Sequence, residues 1–120
     1  MNDLITLYRP VGQKELDLIE GSGFQSFPPR LPEQPIFYPV LNEEYANQIA
    51  RDWNARLNDD RVGFVTRFKI RGEFIGKYDR HLVGGSEHEE YWIPAEDLEV
   101  FNKNIIGKIE VINKFKGSVE

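Results

Sequence analysis

Three observations predict an α+β fold built on a mixed or largely antiparallel sheet with two to three short helices. The elements run strand, helix, loop, strand, helix and then mostly strands, an order that does not build a doubly wound nucleotide fold. At 120 residues the chain can form one compact domain with a real core and is too short for two ordinary ones, so residues 1–120 are expected to be a single unit. Its 40% apolar and 29% charged residues are ordinary globular values, which argues against disorder over most of the length.

Leu4-Ile5-Thr6-Leu7-Tyr8 is β-branched and aromatic, the composition of an interior strand, and is expected to end at Arg9-Pro10. Leu16 and Ile19 share one face of a helix over 13–20, which Gly21-Ser22-Gly23 stops. Residues 24–35 carry four of the seven prolines and read as an ordered loop, with Phe24 and Phe27 turned inward. Ile36 to Leu41 is a second strand that Pro39 confines to an edge or a bulge. Asn42 caps the next helix, whose buried stripe is Tyr45, Ala46, Ile49, Ala50 and Trp53.

Asn58-Asp59-Asp60-Arg61 is a polar turn. Strict alternation over 63–70 gives a half-buried strand with Phe64, Thr66, Phe68 and Ile70 inward. Arg71-Gly72-Glu73 turns the chain, Phe74, Ile75 and Tyr78 pack back on the core, and His81-Leu82-Val83 is short strand. Tyr91-Trp92-Ile93 reads as a buried strand, Pro94 with Glu96 and Asp97 as a helix start, and Leu98 with Phe101 as that helix's anchors. The last strand, from Ile105 to Phe115, is interrupted at Gly107, and the tail after Lys116 is expected to fray.

Composition removes several classes of function. A formal charge of -5 is the wrong sign for a general nucleic-acid binder, and the alternating Arg67, Lys69 and Arg71 fit a solvated strand face. With no cysteine there is no disulfide scaffold, thiolate metal site or cysteine nucleophile. No apolar run approaches the roughly eighteen residues of a membrane span, and Met1-Asn2-Asp3-Leu4 has no signal-peptide character. A cytoplasmic protein without membrane contact is therefore expected. His81 and His88, seven apart, lack metal-site spacing, so no metal is assigned.

Ionisable groups concentrate in one stretch, Gly84-Gly85-Ser86-Glu87-His88-Glu89-Glu90, directly before Tyr91. Either they solvate a strand end or they bind and polarise a ligand there. Together with Tyr8-Arg9 at the end of the first strand and Phe37-Tyr38 leading into a helix, this stretch resembles the ADP-ribosyltransferase-like superfamily. More closely, the run from Leu-Tyr-Arg-Pro-Val-Gly to Trp-Ile-Pro-Ala-Glu-Asp-Leu is similar to small bacterial proteins labelled ADP-ribosylation/crystallin J1-like, over Leu7 to Val111.

The resemblance implies an ADP-ribosyltransferase-like fold with NAD as co-substrate, and transfer of ADP-ribose to an acceptor such as a protein, or NAD hydrolysis. It places Tyr8 and Arg9 at the first-strand position that holds a ribose or phosphate of the nucleotide, a task suited to a guanidinium fork. A salt bridge beside Pro10 is the alternative role for Arg9. Tyr38 and Tyr45 fall near the aromatic position that stacks on nicotinamide, with core packing as the alternative for Tyr45. Glu90 takes the catalytic glutamate position, and His88 stands two residues earlier, where arginine-specific and Rho-modifying members carry Glu or Gln. A catalytically silent domain that uses the same cleft for a nucleotide, peptide or protein is the rival expectation.

Overall fold

The computed structural model of the chain describes residues 3–54, 62–82 and 88–116. The polar turn at Asn58 to Arg61, the segment Val83 to Glu87, the side chain of Trp53 and the tail beyond Lys116 lie outside the described residues. The elements are β1 (Leu4–Val11), α1 (Gln13–Gly21), β2 (Ile36–Phe37), α2 (Glu43–Ile49) with a π-helical turn at Ala50–Asn54, and β3 (Val62–Arg71). They continue as α3 (Gly72–Ile75), β4 (Arg80–Leu82), β5 (Glu89–Tyr91), β6 (Ile93–Pro94), a 3-10 turn at Ala95–Asp97, α4 (Leu98–Lys103) and β7 (Ile105–Lys116). The fold is α+β with antiparallel sheets, as the element order predicts, and the described residues form four short α-helices where two to three were expected. The additional one is α3, at the expected turn.

β3 is the central strand, paired antiparallel with β1 on one side and β7 on the other. Phe64, Thr66, Phe68 and Ile70 are buried as expected and Lys69 and Arg71 are exposed, while Gly63 and Val65 are buried too, so both faces are covered over the first half of the strand. Gly107 breaks the β7 pattern as expected: its φ of 79° lies close to a register shift opposite Arg67 to Lys69, the geometry of a bulge.

Two strand boundaries differ from expectation for one physical reason each. β1 runs through Arg9 and Pro10 to Val11. Tyr8 exchanges both backbone hydrogen bonds with Val40, at 2.9 and 2.8 Å, on the side away from β3. Alternation aims the nitrogen of Pro10 the same way, so its missing N–H removes nothing from the β1–β3 ladder. The second strand is shorter than expected. Ile36 and Phe37 pair with Pro94 and Ile93, Pro39 interrupts, and Val40 then bridges Tyr8 on one side and Glu90 on the other.

Although broken, the pairing of 36–41 with 89–94 keeps one register, from Ile36 opposite Pro94 to Val40 opposite Glu90. Tyr91 N donates to Pro39 O and Leu41 N to Glu89 O within it. Alternation therefore sends Phe37, Tyr91 and Ile93 to one face, where they join Phe27, Phe68 and Phe101 in an aromatic core with ring centroids 5.0 to 5.8 Å apart. It sends Tyr38, Val40, Glu90 and Trp92 to the other. Trp92, expected to be buried, is accordingly 42% exposed. Val40 joins a smaller cluster with Ala46, Ala50 and Val65 under α2, whose N-cap Asn42 accepts a hydrogen bond from Tyr45 N.

The hydroxyl of Tyr78 donates to Asp97 Oδ2 at 2.8 Å and ties α3 to the 3-10 turn. Burial, that hydrogen bond and the carboxylate charge push the phenol up from 10 to about 12. The folded state thus holds a proton that the unfolded chain releases near pH 10, so this stabilisation is intact below pH 10 and is lost as pH rises to about 12. Urea titrations should show wild-type stability falling across that window more steeply than in Tyr78→Phe. Equal slopes would reject the coupling.

Candidate functional site

A cleft of about 590 Å³ opens where β1 and the strand pair above diverge, with Tyr8–Val40 as their junction. Continued pairing past that junction would need a backbone donor at position 10 for Tyr38 O. Proline has none, and the guanidinium of Arg9 turns toward that carbonyl instead, Nη1 donating at 3.4 Å. The cleft is lined by Arg9 through Gly12 and Glu15 on one side, and by Tyr38, Val40, Glu90 and Trp92 on the other.

Arg9 is 8% exposed and held from three directions. Its Nε and Nη2 donate to both carboxylate oxygens of Glu15, at 2.7 and 2.9 Å, and its guanidinium lies 4.4 Å from the centre of the Phe37 ring. Two parallel charge-assisted bonds and a ring face fix the orientation of this side chain. Its backbone is fixed as well, since Thr66 Oγ1 donates to Arg9 O at 2.8 Å.

Glu90 is also 8% exposed. Trp92 Nε1 donates to its Oε1 at 2.7 Å, and the Tyr45 hydroxyl donates to its Oε2 at 3.3 Å. Burial, the Glu90 charge and this hydrogen bond raise the Tyr45 phenol above its ordinary value, which keeps it a donor. Around this carboxylate the rings stack in pairs. His88 lies on Tyr45 with centroids 4.3 Å apart, His81 lies on Trp92 at 3.9 Å, and Tyr38 meets Trp92 edge-on at 6.2 Å.

Of the residues singled out in the sequence, Arg9, Tyr38 and Glu90 meet at the cleft. Tyr45 takes the packing role weighed for it, against the smaller cluster, and its hydroxyl also reaches Glu90, a contact the sequence did not suggest. His88 stands behind Tyr45, and Tyr8 packs against the Val40 cluster; neither is among the cleft-lining residues. Glu15 is not singled out in the sequence, and His81 is weighed there only as a metal ligand. Glu15 is a first-turn acid of α1, and its pairing with Arg9 joins that helix to the end of β1. His81 faces Glu90 across the β4–β5 ladder, a register that no local pattern announces.

Among the described residues no group of three or more histidine, aspartate or glutamate side chains is placed to hold a metal ion, and no helix is long and apolar enough to cross a membrane. Comparison with known proteins returns no match to a family model, a curated protein or a solved structure.

Proposed function

We propose that this cleft binds NAD and that the chain is an ADP-ribosyltransferase-like domain, transferring ADP-ribose to an acceptor such as a protein or, with water as acceptor, hydrolysing NAD. One observation carries the reading: Arg9, Tyr38 and Glu90, from three separate segments, line the same cleft. Its size lies within the roughly 300 to 1,000 Å³ usual for small-molecule sites. NAD supplies a ribose C1′–N bond whose electron pair leaves with neutral nicotinamide while the acceptor bonds to C1′ and gives up a proton. Arg9 offers fixed positive charge to the nucleotide, and Tyr38, 39% exposed, offers a ring face or edge for nicotinamide. Glu90, oriented by Trp92 and Tyr45, offers negative charge to an oxocarbenium-like ribose in a partly dry site.

Binding without turnover is a second reading, favoured by the Glu15 carboxylate that already fills two donors of Arg9. Titration of NAD followed by backbone amide NMR tests the site itself. Shifts at Arg9, Tyr38 and Glu90 that saturate together are expected. Unchanged spectra at millimolar NAD would overturn both the cofactor and the activity.

A further inference from the structure

The loop between α1 and β2 brings a second guanidinium close behind Arg9, beside the cleft and outside its lining residues. Arg30 lies 5.8 Å from the centre of the same Phe37 ring that Arg9 faces at 4.4 Å. Two cations therefore share one ring, and a single carboxylate, Glu15, is bonded to Arg9. Arg30 makes no ion pair among the described residues, and its Nε is buried without a hydrogen-bond partner. A buried donor left unmet is destabilising, and native folds hold few of them. Burial and the nearby Arg9 charge lower the Arg30 pKa, while Glu15 and Tyr38 oppose that shift. The local excess of positive charge and the unmet donor both call for an anion.

We propose that Arg30, with the Nη1 edge of Arg9, forms an anion subsite for phosphoryl oxygens at the Glu15–Tyr38 end of the cleft. The inference rests on the NAD reading in taking the physiological anion to be the dinucleotide's diphosphate; the subsite itself rests on the two guanidiniums. A planar guanidinium fork suits two oxygens of a phosphate better than a point charge does. Glu15 is then the anion's competitor for Arg9, and it holds the guanidinium in place until the nucleotide arrives.

The test uses the whole chain, with sodium pyrophosphate and sodium orthophosphate as probes and NAD in a parallel titration. Binding is read by the Nε–Hε resonances of Arg9 and Arg30 and by calorimetry. Pyrophosphate should bind more tightly than orthophosphate and shift both resonances. Arg30→Gln should weaken pyrophosphate by about tenfold or more, Arg30→Lys by less, and Glu15→Gln should tighten it severalfold. Both Arg30 variants alter a half-buried loop side chain, so an unchanged amide spectrum elsewhere checks the fold.

Wild-type affinity in Arg30→Gln, or no pyrophosphate binding by wild type, overturns the subsite. NAD binding that ignores Arg30 keeps the cofactor reading and rejects this inference. Arg30-dependent pyrophosphate binding with no NAD binding does the reverse for the subsite and the dinucleotide.

Discussion

Replacing Phe37 by alanine is expected to cost about 4 kcal/mol of stability, a large part of the roughly 5 to 15 kcal/mol that holds a domain together. The ring is fully buried and sits between Phe27 and Phe101, with centroids at 5.1 and 5.2 Å. Truncation removes its own burial and leaves a cavity that a β-strand, pinned by its pairing with Ile93, cannot collapse to fill. It also withdraws the face on which Arg9 rests. Urea denaturation should show a lower midpoint with little change in slope. Phe37→Leu keeps most of the apolar volume and should lose only about 1 to 1.5 kcal/mol, isolating the ring-face contribution. A midpoint in Phe37→Ala that matches wild type would mean that the aromatic core does not depend on this ring.

Glu90→Gln is expected to abolish nicotinamide release from NAD, by about a hundredfold or more, while leaving NAD affinity nearly intact. The substitution is close to isosteric but removes the charge that would meet a cationic ribose. It also weakens and reverses one of the two bonds at the carboxylate, since the amide oxygen can keep Trp92 Nε1 while the amide NH2 donates to the Tyr45 hydroxyl. The stability loss should therefore stay near 1 kcal/mol. Wild-type turnover in the variant would remove Glu90 from the chemistry. NAD binding with no nicotinamide release by the wild-type chain would select the silent module.

Much of the frame was legible because it is local. Asn42 caps α2 through its own side chain, Leu16 and Ile19 bury one face of α1, and alternation marks β3. What lay outside reach was pairing at a distance. Tyr91, Trp92 and Ile93 look alike as an apolar triplet, yet alternation within a paired strand buries the first and third and turns Trp92 to the cleft. The meeting of Arg9, Tyr38 and Glu90 depends on the register of 36–41 against 89–94 and on the Tyr8–Val40 bridge, neither of which any single window encodes. Arg30 sat unremarked in a proline-rich loop because nothing in that composition says which ring it will lie against.

The break in pairing at Pro10 has a wider consequence. The mouth of the cleft is held open by the backbone, through one absent hydrogen, and not by the bulk of the groups that line it. Side chains at 38, 49 and 92 are therefore free to be exchanged for others without zipping the walls together. Opening and selectivity thus rest on different parts of the chain, the first on the backbone at Pro10 and the second on the side chains along the walls.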